Sequence, residues 1–144
     1  MDIYESLRLI AATGCGIQIG GFLLLSLFHQ ALFKDWPQNT ETSELFKRFY
    51  RFNTLISILS GIIAILGEAR SAGFLLAILG MSYSLLLTHL LPAIRHQSQQ
   101  MSAKTEVTLK RSPQQITLIL VRTQTAVHFS QLCSLIYLVY MLSQ

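Results

Sequence analysis

Between Arg8 and Lys34 the chain reads LIAATGCGIQIGGFLLLSLFHQALF, residues 9–33, without one formally charged side chain. A helix rises about 1.5 Å per residue, so roughly 20 apolar residues cross the ~30 Å hydrocarbon core of a bilayer. The stretch is long enough to span. It is too long for the apolar region of a signal peptide, and no A-x-A-like cleavage pattern follows it. Working outward, Arg51 and Glu68 bracket a shorter uncharged run, residues 52–67, and Arg70 and Arg95 bracket another, residues 71–94. After Arg122 no charged side chain occurs. The second run is short for a span, but Arg51 can extend its charge to the interface. Charge spacing predicts an all-α, integral-membrane four-helix bundle in one domain, 1–144, with spans at about 9–33, 50–68, 71–94 and 120–142.

Composition agrees. Of 144 residues, 51% are hydrophobic and only 12% charged, against about 25% charged in ordinary soluble domains; mean hydropathy is +0.47. That excludes a typical soluble enzyme, a disordered chain and a disulfide scaffold. The net charge of +4 reads as topology, not as a nucleic-acid footprint. With four spans, Arg8 and Arg70 fall on one side. Lys34, Lys47, Arg48, Arg51, Arg95, Lys104, Lys110, Arg111 and Arg122 fall on the other. This asymmetry predicts both termini outside and the two long connections in the cytoplasm, in a plasma (inner) membrane.

Two helices are expected to overhang on the cytoplasmic side. Trp36 and Pro37 end span one, and Asn39 or Thr40 caps a helix with Glu41 and Glu44 in its first turn. That helix carries Phe46, Phe49 and Tyr50 at helical spacing into span two. Ser112-Pro113-Gln114-Gln115 forms a capping box with Pro at the first helical position, predicting a helix from Pro113 to about Leu142. Its first residues should project inward, with Ile116, Ile119 and Leu120 against the aromatic stripe. Residues 97–108 read as a loop.

Small residues mark the expected packing faces. Ala12, Gly16 and Gly20 recur every four residues in span one, a pattern containing GxxxG. Asn53, Ser57 and Gly61 repeat it in span two, and Gly80, Ser84 and Thr88 in span three. The span-one face predicts close packing inside the bundle; the alternative is a homodimer seam. Cys15 and Cys133 are expected at different depths, too far apart for a disulfide, each serving as a small buried apolar group.

Histidine supplies the candidate site. His29, His89 and His128 lie five or six residues inside the boundary charges Lys34, Arg95 and Arg122, hence at one depth near the inner leaflet. Gln18 shares a helical face with His29, Ser82 with His89, and Gln124 and Gln131 with His128; Ser57 lies at similar depth. Pro92 cannot donate to the Thr88 carbonyl, leaving an acceptor beside His89. Ionisable residues inside a membrane mark candidate function, and imidazole ligates haem iron and transition metals. A polar layer of hydrogen-bonded structural groups is the competing reading. No motif places two metal ligands on one helix, and no carboxylate in a span can complete a catalytic triad. His96, on a connection, is expected to play no part.

Gly16-Ile17-Gln18-Ile19-Gly20-Gly21-Phe22, then Leu32-Phe33 and Trp36-Pro37, then Leu45-Phe46, Phe49-Tyr50 and Asn53 run in an order with a familiar likeness. Together with the Leu91-Pro92 exit of span three and His128-Phe129-Ser130, they resemble a four-helix integral-membrane family. It is the family of unknown biochemical function that includes the human transmembrane protein linked to cisplatin resistance. The family's His-Gly-x-Ser stretch is changed here, since Gly is missing and Ser stands two residues after His. The resemblance implies the helical membrane fold, no defined reaction, and attention to Gly16, Gln18, Phe33, Pro37, Phe46, Pro92 and His128. Two functions follow as expectations: a small membrane protein without catalysis (an accessory subunit, or one affecting small-molecule or metal handling) or a haem- or metal-bearing redox protein. The partners expected are the bilayer and a homo-oligomer or larger membrane complex.

Overall fold

The computed structural model describes residues 2–27, 40–96 and 113–143, with backbone alone at 26, 40–43 and 113–117. Four helices make up these residues: α1 (Ile3–Leu27), α2 (Thr40–Leu66), α3 (Arg70–His96) and α4 (Pro113–Leu142). Each contains a stretch long and apolar enough to cross a membrane. The expected residues 28–33 of span one, the Trp36-Pro37 exit and the 97–108 loop lie outside the described residues.

Local chemistry sets the helix ends. α1 starts at Ile3, six residues before the first expected boundary, where the Asp2 and Glu5 carboxylates take the first backbone N–H groups in half of a capping box. Asp2 Oδ1 accepts the Ile3 N–H at 2.7 Å, and Glu5 Oε2 accepts the Asp2 N–H at 3.2 Å. α2 runs unbroken from Thr40 into its apolar half. It ends in a Schellman turn, where the Ala69 N–H reaches the Ala64 carbonyl and the Glu68 N–H the Ile65 carbonyl. Glu68 takes the left-handed conformation (φ 63°) that this motif usually gives to glycine. Gly67, one residue earlier, is needed for close approach instead: a Cβ there would meet Leu7 at 3.2 Å and the Tyr4 carbonyl at 3.3 Å. Arg8 Nε donates to the Gly67 carbonyl at 2.9 Å, tying α1 to the α2–α3 turn.

α1 packs on α2 and α4, α2 on α3, and α3 on α4. The chain therefore goes round the bundle in sequence order. Its outer faces are apolar too: Leu24, Phe52, Leu55, Phe74, Met81 and Phe129 are all more than half exposed. Such a surface is unfavourable in water and suited to lipid. Hydroxyls on these faces hydrogen-bond to their own helix, as Thr13 does to the Leu9 carbonyl, Thr88 to Ser84 and Thr125 to Val121. These three hydroxyl donors are thereby paired without water.

The tightest helix approach is between α2 and α3. A Cβ on Gly61 would lie 3.2 Å from the Gly73 carbonyl, and one on Gly73 would lie 2.9 Å from the Gly61 carbonyl. Glycine lets these backbones touch where no hydrophobic force drives helices together. Gly80, the next glycine on that face, packs against Ser57 and Ile58 of α2.

On α1 the expected packing face is corrected. Gly16 is exposed, Ala12 and Gly20 are half-buried, and a Cβ on Gly16 or Gly20 would meet nothing within 4 Å. α1 turns Ala11, Cys15, Gln18 and Phe22 inward instead. Gly14 lies against Ser60 of α2, and Gly21 against Phe49. The overhang contacts are corrected as well. Phe46 and Tyr50 are fully buried in the bundle; Leu120 leans on the core, Ile119 is half exposed, and the side chain of Ile116 lies outside the described residues. The aromatic stripe is thus the inner wall of the core at the Arg48 end. Cys15 is buried, whereas Cys133, expected buried, faces outward; both are free.

Candidate functional site: a polar interior

Within the apolar shell the four helices bury a column of neutral polar side chains. α2 contributes Tyr50, Asn53 and Ser57 at spacings of three and four, which stack them on one face. α1 contributes Gln18, α3 contributes Tyr83 with Ser82 beside it, and α4 contributes Gln124, His128 and Gln131. All are buried except Ser82 and His128, which are half-buried.

Three hydrogen-bonded nodes join the helices. Ser57 Oγ donates to Gln18 Oε1 at 3.0 Å, linking α2 to α1. Gln131 Nε2 donates to Ser82 Oγ at 2.7 Å, and that hydroxyl passes its own proton to the Leu79 carbonyl at 2.8 Å, linking α4 to α3. The third node is the phenol of Tyr50. It accepts from Gln124 Nε2 at 2.6 Å and shares a bond with His128 Nε2 at 2.8 Å. A phenol has one proton and two lone pairs, so both bonds form with either histidine tautomer. Aromatic rings enclose the imidazole: Phe22 at 5.5 Å and Phe49 at 6.5 Å, both edge-on, and Tyr50 at 5.5 Å between centroids.

These bonds do not use up the donors and acceptors. Gln18 Nε2, Asn53 Oδ1, Tyr83 OH, Gln124 Oε1 and Gln131 Oε1 are buried without a hydrogen-bond partner among the described residues. An unpaired buried polar group costs about 1–3 kcal/mol in a protein interior, and each of the four helices supplies at least one of these atoms. The sequence pattern singled out Gln18, Ser57, Ser82, Gln124 and Gln131. It missed the roles of Tyr50, Asn53 and Tyr83. Tyr50 and Asn53 could have been found by extending the Ser57 face back by four and seven residues.

The histidines lie in different settings. His128 is in the Tyr50 node. His89 is exposed on the outer face of α3, in a groove of about 410 Å³ that also involves Ser82, Leu86, Ala93 and Val127. It stands in a π-helical turn, Leu86–Leu90, that widens α3 just before Pro92. Proline removes the ordinary donor to the Thr88 carbonyl and crowds it, and such turns accommodate that strain. His89 therefore does not join His128 in the interior. His96 is exposed at the end of α3, and His29 lies outside the described residues. Among the described residues no group of three or more His, Cys, Asp or Glu is placed to hold a metal ion.

A second concavity of about 600 Å³ opens on the bundle's outside, between α1 and α2 at the Arg48 end. Its walls are Ile17, Gly21, Leu24, Leu25, Phe49 and Phe52; Asn53 and Arg48 also border it.

Fold and interior together define the class: an all-α four-helix bundle, apolar enough on its outside to span a membrane and polar along its core. Compared with known protein families, with curated proteins and with solved structures, the chain matches none.

Proposed function

We propose that this is a small polytopic membrane protein, without covalent catalysis, that takes a small uncharged hydrogen-bonding molecule into its bundle. The observation supporting this is the set of five buried donors and acceptors without partners among the described residues, spread over all four helices. In a membrane an apolar core would be cheaper, since every unsatisfied polar group is costly there. A core that keeps them has work for them. The polar groups described there are amides, hydroxyls, phenols and one imidazole, which suits a neutral guest carrying both donors and acceptors, with water as the smallest case. The bilayer is the protein's medium. We place it in the plasma (inner) membrane with both termini outside, because Lys and Arg concentrate on the side of the two long connections.

Swelling of proteoliposomes in urea or glycerol gradients tests this reading. The wild type should swell faster than empty vesicles, and Gln18→Leu with Gln131→Leu should remove the difference. Rates equal to those of empty vesicles, with no calorimetric binding of either solute, would overturn it. A Soret band in the purified protein would replace it with the haem-bearing alternative, in which His128 is the interior histidine placed to act as a ligand.

A further inference from the structure

The geometry points to a binding site for one anionic phospholipid in the groove between α1 and α2, with its phosphate at Arg48. The groove opens on the outer face of the bundle, and Asn53 stands between it and the polar interior. From Ile17 to Leu25 it runs along nine residues of α1, about 12 Å at helical rise. Gly21 lines its middle beside the Phe49 ring, where a Cβ would lie 3.3 Å from Cε2 and narrow the groove. The walls are hydrocarbon, as an acyl chain requires. The border is cationic, as a phosphate requires.

Charge complementarity selects the headgroup. Of the two neighbouring cations on α2, Lys47 is committed to Glu44, with Nζ 2.6 Å from Oε1. Arg48 is exposed, borders the groove, and takes part in no ion pair among the described residues. Arg95 lies close enough, like Arg48, to act on the charge of Glu44, so this end of the bundle is electropositive. A guanidinium forks onto two phosphate oxygens where an ammonium offers a point charge. Basic recesses between membrane helices hold anionic headgroups in this way. A zwitterionic lipid offers the same phosphate with its charge cancelled by a choline, so it should bind less well.

Native mass spectrometry of the full chain in detergent, titrated with dioleoylphosphatidylglycerol or dioleoylphosphatidylcholine, tests the site. We expect one phosphatidylglycerol retained in preference to phosphatidylcholine. Arg48→Gln should lower its retention about five-fold, the effect of one basic side chain near the headgroup. Leu24→Trp, which fills the groove from an exposed position, should lower it as well. Arg51→Gln, on the same helix and outside the groove, should leave it unchanged, and glycerol 3-phosphate should not compete. Equal retention of the two lipids would overturn the site. So would equal losses in Arg48→Gln and Arg51→Gln, displacement by glycerol 3-phosphate, or a dimer that forms without lipid and is broken by Leu24→Trp.

Discussion

Alanine at Gly73 and alanine at Gly16 should move stability in opposite directions. At Gly73 the added methyl would sit 2.9 Å from the Gly61 carbonyl and press on Ile65 of the same facing helix. A side-chain tip can swing away, but a carbonyl moves only if α2 and α3 separate. Overpacking of this kind costs about 1–3 kcal/mol. The gain in helix propensity from Gly to Ala, about 0.8–1 kcal/mol, offsets part of it. The net expectation for Gly73→Ala is a loss of up to about 2 kcal/mol. At Gly16 the methyl meets nothing within 4 Å, so only the propensity remains, and Gly16→Ala should be neutral or stabilising by up to about 1 kcal/mol. Reversible unfolding in mixed micelles of dodecyl sulfate and a mild detergent, followed by far-UV circular dichroism, measures both. If Gly16→Ala lost as much stability as Gly73→Ala, the assignment of the close approach to α2 and α3 would be refuted.

Other expectations follow from the nodes and turns. Tyr50→Phe removes the hydroxyl that accepts from Gln124 and bonds His128. It should cost about 1–3 kcal/mol in the same unfolding assay, and adding Gln124→Leu should recover part of the loss by removing the stranded amide; a neutral Tyr50→Phe would contradict the node. Glu68→Gly relieves a left-handed residue (φ 63°) and should stabilise by about 1 kcal/mol. With Cys15 and Cys133 replaced by Ala, an impermeant maleimide added outside cells should label Cys at position 2 or 144 and miss Cys at position 104. The reverse pattern would invert the orientation.

Charge spacing made the helices legible. Runs of uncharged residues between Arg8, Lys34, Arg51, Arg70 and Arg95 mark where a chain can cross hydrocarbon, and Pro113 after Ser112 marks a helix start. Which face of a helix turns inward was less legible. Gly16 and Gly20 satisfy a small-residue pattern on the outer face as well as they would on an inner one, because spacing of four is blind to what the face meets. The Gly61–Gly73 contact pairs residues on different helices, and no spacing along one chain announces it. His89 was misjudged for a related reason. Depth follows from counting residues, whereas direction depends on helix order and on a π turn that changes the register before Pro92. The polar interior was partly legible, since amides such as Gln18 and Gln131 in an apolar run must find partners. Tyr50 was obscured by Phe46 and Phe49, which made its face look purely aromatic.

The central claim is that the interior's unpartnered polar atoms are occupied by a small hydrogen-bonding guest, water when no solute is supplied. Solid-state NMR of the protein in bilayers, with magnetisation transferred from mobile water to side chains, tests it directly. The account predicts early transfer from water to the side-chain amide protons of Gln18, whose Nε2 has no partner among the described residues, and little transfer to the methyls of Leu76 and Leu135 in the apolar core. Transfer to Gln18 as slow as to Leu76 and Leu135 would mean a dry interior and would contradict it.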